Sequence, residues 1–218
     1  MHFWGEAYPL NHPDARARNN MAANSADPPP TNRSEIFRTL FVYGPLMADE
    51  VLTALLGRVP KHRPATLTGY LRVCKKGAEQ IQGVCSTHRG LVAASYPAAV
   101  QSGKDEHCIE GILLERLRPQ ELRCLDHYED PTYRQTPVTV TAPSGFGASE
   151  TVSSLIYAWP STATAAKSLD VNRGWSYTEF RAHHMALFIE NVVKPCRVSF
   201  EKAEGAMEVV MTDRSHRG

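Results

Sequence analysis

A short stretch near residue 40 constrains the fold more than any other part of the chain. Leu40–Tyr43 is a run of large apolar and aromatic residues, typical of a strand buried on both faces. Gly44-Pro45 ends the run and forces a tight loop. Met47, Val51 and Leu55 then recur every four residues, and Gly57 is placed to end that helix. The sequence therefore predicts a strand, a sharp loop and a helix.

This arrangement leaves free backbone N–H groups between the strand and the helix, beside the positive end of the helix dipole. Such a loop suits a bound carboxylate or a developing oxyanion. An ordinary strand-to-helix connection in a core accounts for the same pattern.

Composition excludes several classes of protein. The chain has 218 residues, 42% of them apolar, and a net charge of +1, so charge gives no sign of nucleic acid or an anionic membrane as a partner. No apolar run approaches the roughly 18 residues of a membrane span. Five scattered cysteines fit reduced thiols in the cytoplasm better than a disulfide framework.

We expect three divisions of the chain. Residues 1–35 are rich in Asn, Pro and Ala and lack a periodic apolar face, which predicts a disordered or targeting extension. Residues 36–197 form the folded domain, and residues 198–218 form a polar tail. A cytoplasmic location is expected, with organelle targeting by the extension as the alternative.

The folded domain is predicted to consist mainly of strands, with a few helices. Strands are predicted over residues 64–72, 96–100, 109–117, 133–142 and 151–159, with an irregular insertion over 73–95. Helices are predicted from Pro119 to Tyr128, and from Ser176 to Lys194-Pro195. Pro137 indicates an edge or a bulge in its strand. Because the strands do not alternate strictly with helices, we expect an α+β fold, a small barrel of mixed strands with flanking helices.

Two places could carry chemistry: the loop Tyr43–Leu46, and the end of the second helix with Asp126 and Glu129. Burial beside Leu125 and Tyr128 would raise the pKa of Glu129 into the range useful for proton transfer. A solvated helix end is the alternative for Glu129, and a cap or an arginine partner is the expectation for Asp126.

Metal and nucleotide sites are not expected. Cys74, Cys85 and His88 lack a second close pair of zinc ligands, and His183-His184 do not share a helix face. The chain contains neither of the glycine-rich phosphate-binding motifs.

These motifs together resemble one family. Phe41-Val42-Tyr43-Gly44-Pro45-Leu46-Met47, Tyr96-Pro97-Ala98, Gly111-Ile112-Leu113-Leu114, Leu125-Asp126-His127-Tyr128-Glu129 with Tyr133-Arg134, and Tyr157-Ala158-Trp159 are similar to the gamma-glutamylcyclotransferase-like family. The resemblance runs from about Leu40 to Val193. It is greatest to the avirulence-induced-gene-2-like branch, which includes gamma-glutamylamine cyclotransferases.

The resemblance implies an enzyme that releases 5-oxoproline from a small gamma-glutamyl substrate without a metal or organic cofactor. It implies that Glu129 is the acid/base, and that Tyr43, Gly44, Pro45, Leu46 and Tyr133 bind substrate. The leaving group is left open between a glutathione-like peptide, a gamma-glutamyl amino acid and gamma-glutamyl-lysine amine, and so is the oligomeric state.

Pro45 departs from the family, which commonly has Thr or Ser there. A binding or scaffold protein that keeps the fold is therefore the alternative.

Overall fold

The computed structural model describes residues 38–76, 96–144 and 147–215, with side chains as far as residue 206. Five strands close into a barrel in the order β1-β5-β2-β6-β7. They are β1 (Arg38–Val42), β2 (Lys61–Thr68), β5 (Cys108–Leu117), β6 (Arg134–Pro143) and β7 (Ser149–Ala158). The β1–β7 pair is parallel and the other pairs are antiparallel, which confirms the α+β fold with a small mixed-strand barrel.

Strand β5, at a position where the sequence pattern predicts a central strand, lies between β1 and β2. Gly111 is the position where the strands approach most closely. A Cβ atom there would lie 2.4 Å from the Val42 carbonyl oxygen and 2.6 Å from the Phe41 ring. Any larger residue would therefore push β1 and β5 apart.

The second sheet has three strands in the order β4-β3-β8. They are β3 (Tyr70–Lys75), β4 (Pro97–Gln101) and β8 (Leu169–Gly174), and β8 was not predicted. The single strand predicted over residues 64–72 is wrong, because Gly69 adopts a φ of +83° and separates β2 from β3. Residues 73–75 of the predicted irregular insertion belong to β3, and residues 77–95 lie outside the described residues.

Pro137 lies at an edge, one of the two predicted alternatives. Strands β6 and β7 pair without a break in register, so there is no bulge at Pro137. Strand β6 meets β2 only at Thr141, so the proline has no neighbouring strand on its other side within the described sheet.

The first two long helices match their predictions. One 3₁₀ turn, Pro45–Met47, precedes α1 (Asp49–Leu56), and Gly57 ends that helix with a φ of +80°. Helix α2 spans Pro119–Tyr128, with the proline at its first position. A four-residue helix α3 (Ala163–Ala166) was not predicted.

The predicted end of the last helix at Lys194-Pro195 is wrong. Helix α4 runs over residues 177–215, with two wide π-helical segments at Phe180–His184 and Ile189–Val193. The second segment immediately precedes Pro195, where a regular turn would press the proline ring against the Asn191 carbonyl group. The sequence pattern also places Leu187 on the apolar face of this helix; this is wrong, since Leu187 is 52% exposed, whereas Phe200 beyond the predicted end is buried.

The apolar residues of the predicted strands and helices also predict ten core positions, and most of these are buried. Eight are buried: Leu40, Val42, Leu114, Leu122, Leu125, Val140, Ile156 and Phe188. Ile112 and Val138 are only partly buried, at the margins of the two apolar clusters. In the part of the chain that the structure describes, no helix is long and apolar enough to cross a membrane.

Candidate active site

One concave pocket brings together the two places where chemistry was expected. It lies where the loop after β1, the start of β4 and the end of α2 meet. Glu129 and all of the residues expected to bind substrate line it, whereas Asp126 is not part of its wall. Its wall consists of Phe41, Val42, Tyr43, Gly44, Pro45, Leu46, Tyr96, Pro97, Tyr128, Glu129, Tyr133 and Tyr157.

The loop Tyr43–Leu46 provides backbone donors on one side of the pocket. The N–H groups of Met47 and Ala48 are used within the loop, since they donate to the Gly44 and Pro45 carbonyl oxygens. Among the described residues, the N–H groups of Gly44 and Leu46 have no acceptor. Pro45 between them has no N–H group. The loop can therefore offer two donors to a ligand oxygen.

Close packing limits what can replace Gly44. A Cβ atom at this position would lie 3.0 Å from the Pro97 ring. Tyr133 helps to hold Pro97 in place, since its buried hydroxyl donates to the Pro97 carbonyl oxygen at 3.1 Å. The Tyr133 hydroxyl is thus occupied by the backbone, and its ring is what contributes to the pocket wall.

Tyr43 is fixed by contacts to both sheets. Its hydroxyl donates to the Tyr157 carbonyl oxygen at 2.7 Å and accepts from the Ala99 N–H at 3.2 Å. Burial raises the pKa of this phenol well above its ordinary value. Arg72 donates to the Tyr43 carbonyl oxygen at 3.1 Å while its guanidinium packs over the Trp175 ring. Tyr43 therefore acts as a rigid wall, and its hydroxyl does not reach out to a ligand.

Glu129 lies on the other side of the pocket, at the C-terminal cap of α2. It is partly buried, and among the described residues no donor hydrogen-bonds its carboxylate. Burial raises the pKa of Glu129 from 4.5 to about 8, while the positive charge of Lys75 opposes the rise and the Asp130 and Asp126 carboxylates add to it. Such a carboxyl group can both accept and return a proton near neutral pH.

Asp126 has a different environment, although it lies only three residues earlier. It is exposed, and its Oδ1 accepts from the Tyr157 hydroxyl at 2.6 Å and also from the Gln135 amide. These partners are neither a helix cap nor an arginine, so both expectations for Asp126 are wrong. The contact does fix Tyr157, whose ring lines the pocket.

Two basic residues near the pocket were missed in the sequence. Arg72 holds the Tyr43 carbonyl oxygen, and Lys75 lies close enough to Glu129 to affect its pKa. Both belong to β3, whose end was assigned to an irregular segment because Gly77 follows it. The sequence has no local signal for the pair, because strict alternation would put Arg72 and Lys75 on opposite faces of the strand, and β3 has a register shift between Val73 and Cys74.

No cluster of three metal-ligating side chains exists among the described residues. Cys85 and His88 of the rejected zinc alternative lie outside them.

Comparisons with known proteins identify the family of the chain. The family described as gamma-glutamyl cyclotransferase, AIG2-like matches residues 40–177, more than half of the chain. The chain belongs to this family. The match spans the barrel, the second sheet and every residue of the pocket wall.

The chain is also similar to proteins from Arabidopsis thaliana over about two thirds or more of its length. The chain is 28% identical to AIG2-like protein D over 70% of its own length and 84% of the relative's. It is 29% identical to AIG2-like protein C, over 69% of this chain and 73% of the relative. A solution structure of another Arabidopsis thaliana protein is similar, with 25% identity and a TM-score of 0.46 over 74% of this chain and 82% of that one.

Proposed function

We propose that this protein is a gamma-glutamyl cyclotransferase-type enzyme that releases 5-oxoproline from a small gamma-glutamyl amine or peptide. In this reaction the α-amine of the gamma-glutamyl group attacks its own side-chain carbonyl carbon. A new C–N bond closes the five-membered ring, and the original amide bond breaks. The products are 5-oxoproline and a free amine.

Glu129 is the proposed general acid/base. The attacking amine must lose a proton, and the leaving nitrogen must gain one. A single carboxylate with a pKa near 8 can take the first proton and deliver it to the leaving nitrogen. Positioned proton transfer of this kind contributes about 10²–10⁴ in rate.

The loop is the proposed oxyanion site. The N–H groups of Gly44 and Leu46 have no acceptor among the described residues, and they lie in the same pocket as Glu129. Donors of this type stabilise the negative charge that develops on the carbonyl oxygen. Because ring closure is intramolecular, the pocket also accelerates it by holding the substrate folded. Tyr43, Pro45 and Tyr133 contribute the surface against which the folded substrate packs.

The observation that supports the proposal most directly is the Glu129 carboxyl group: it is partly buried, has no donor among the described residues and faces a loop with free N–H groups. A carboxylate with a purely structural role would be expected to have partners, because an unpaired buried charge is costly.

The test is an assay for 5-oxoproline with a panel of gamma-glutamyl amino acids, gamma-glutamyl amines and a gamma-glutamyl peptide. Glu129→Gln keeps the size of the side chain and removes the base, so turnover should fall by about 10²-fold or more. Glu106→Gln is the matched control, since Glu106 is exposed in the turn before β5. Turnover that survives in Glu129→Gln would remove Glu129 from the mechanism.

Pro45 supports a second candidate, a binding or scaffold protein without turnover. Proline removes one N–H donor from the loop and brings no hydroxyl group. On this alternative the wild-type protein turns over none of the panel, and Pro45→Thr gains activity. Turnover by the wild-type protein would exclude the alternative.

A further inference from the structure

Lys75 occupies an unusual site for a lysine. It is the last residue of β3, and its side chain is only 16% exposed. The ammonium group lies 4.7 Å from the centre of the Tyr133 ring and 4.6 Å from the centre of the Trp159 ring. These rings meet edge to face with 5.1 Å between their centres. Two walls of an aromatic cage therefore hold the cation.

The cage does not neutralise the charge. Among the described residues, the Asp130 carboxylate pairs with the ammonium group, with 3.6 Å between Asp130 Oδ2 and Lys75 Nζ, but the Asp130 side chain is half exposed and water screens the pair. Cation–π contacts stabilise an ammonium ion without cancelling its field. Since the site is largely shielded from water, the positive charge acts over a longer distance than it would on the surface.

We propose that Lys75 is a positioning residue of the candidate active site, whose caged positive charge keeps the neighbouring Glu129 carboxyl group partly ionised at neutral pH. This proposal rests on the proposed function, in which Glu129 must accept a proton. Tyr133, one wall of the cage, lines the same pocket as Glu129, and Asp130, which pairs with Lys75, directly follows Glu129 in the chain. Removal of this cation would raise the pKa of Glu129 further and leave a smaller fraction of it ionised as a base.

The other groups that influence Glu129 cannot replace Lys75. Asp126 and Asp130, at the end of α2 and just beyond it, are negative and disfavour ionisation of Glu129. The remaining titratable neighbours come from six places in the chain, and burial raises the pKa of each, so they are neutral near pH 7. They are Tyr43 after β1, Tyr96 before β4, Tyr128 in α2, Tyr133 before β6, Tyr157 in β7 and Cys196 in α4. Among the described residues, Lys75 is the cation that opposes the rise in the pKa of Glu129.

The test measures the protonation of Glu129 directly and does not depend on turnover. Protein labelled with ¹³C at the glutamate carboxyl carbons is titrated by NMR, and Glu129→Gln identifies the Glu129 signal. Lys75→Gln should raise the pKa of Glu129 by about one unit, since a neighbouring opposite charge shifts a carboxyl pKa by about 1–3 units. Lys75→Arg keeps the charge and should leave the pKa within about half a unit of the wild-type value.

Asp130→Asn is a second variant. It removes a negative charge near Glu129, so its effect on the pKa of Glu129 should be opposite to that of removing the Lys75 charge. Asp130 is half exposed, so its replacement leaves the core intact. The pKa of Glu129 should fall, because a repelling charge is removed. If Lys75→Gln does not fold, Lys75→Met takes its place, since it also removes the charge and keeps an unbranched side chain against the two rings. An unchanged pKa of Glu129 in the variant that lacks the Lys75 charge would overturn the proposal.

Kinetics separate this proposal from the proposed function. If the enzyme is active, the acidic limb of the pH profile of kcat/KM should move to higher pH in Lys75→Gln and return in Lys75→Arg. A purely structural role of Lys75 would lower activity at every pH and leave the limb in place. If the wild-type protein shows no turnover, the proposed function fails, while the NMR titration still decides whether Lys75 controls Glu129.

Discussion

The two ends of helix α2 carry the same chemical group in opposite circumstances. At the N-terminal end, Glu121 is 8% exposed and its carboxylate accepts from the Arg58 guanidinium at 2.6 and 2.8 Å and from the Arg118 N–H at 2.8 Å. At the C-terminal end, Glu129 is partly buried, and no described donor hydrogen-bonds its carboxylate.

The difference shows that burial of a carboxylate does not by itself indicate a site. Glu121 joins the start of α2 to the residue after Gly57, so its charge is used for structure. Glu129 faces a pocket and has charged neighbours in place of hydrogen-bond donors. The absence of donors is what leaves a carboxyl group able to exchange its proton with a ligand.

The largest expected effect on stability is at Glu121, at the N-terminal end of α2. Glu121→Gln should lower the free energy of unfolding by about 3 kcal/mol, because it leaves the Arg58 charge without its partner. Denaturant unfolding measures the change. The pKa of Glu129, followed by NMR, should stay the same. A loss below about 0.5 kcal/mol would mean that the two ends of the helix do not differ as described.

Glu129→Gln should have the opposite effect on stability, and only above about pH 4.5. The folded protein keeps the Glu129 proton up to a pKa of about 8, whereas the unfolded chain releases it near 4.5. Between these values the folded state binds more protons, so wild-type stability falls as the pH rises. Glutamine does not titrate. The variant should therefore be more stable than wild type by about 2 kcal/mol at pH 9 and equal to it at pH 4.

Melting temperatures measured across pH 4–9 test this expectation, with Glu106→Gln as the control. A constant difference between Glu129→Gln and wild type across this range would contradict the raised pKa of Glu129.

Asp126→Asn compares two carboxylates at the same end of the helix, Asp126 and Glu129. The asparagine oxygen can still accept from Tyr157 and Gln135, so the free energy of unfolding should change by less than about 1 kcal/mol. Loss of the Asp126 charge should also lower the pKa of Glu129 slightly. Denaturant unfolding and NMR titration measure the two effects. A large loss of stability would show that Asp126 is as structural as Glu121.

Pro45→Thr is expected to have the smallest effect. It adds an N–H and a hydroxyl donor to the pocket wall opposite Glu129, so turnover should be equal or up to about tenfold higher, with a change in stability of about 1 kcal/mol or less. Steady-state assays with the best substrate of the panel measure the change. A marked loss of activity would mean that the proline ring itself shapes the site.

Much of the fold could be predicted from the sequence because buried strands and helices have recognisable local patterns of apolar residues. The runs at Leu40–Tyr43 and Ile109–Leu117 are strands, and the proline and glycine at the ends of the helices mark Pro119 and Gly57 correctly. The failures arose where tertiary structure overrode a local rule. Gly69 divides an apparently continuous alternation, and π-helical turns carry α4 past Pro195.

The site was less predictable from the residues alone. Glu129 and the loop Tyr43–Leu46 are 83 residues or more apart in the sequence, and only their paired resemblance to a family linked them. Spacing along the chain cannot show that α2 ends beside the loop after β1, since the closure of the barrel decides it. Lys75 had no signal at all, because a lone lysine at the end of a strand is usually solvated.

Tyr43 gives the pocket a property that neither sheet has alone. One oxygen atom of this residue contacts β7 of the barrel and β4 of the second sheet, while its ring lines the pocket. A small slip of one sheet over the other would move that ring before either sheet lost its own hydrogen bonds. The position of the Tyr43 ring therefore depends on the junction between the two sheets. When this junction is loosened, the affinity for substrate should fall before the free energy of unfolding does.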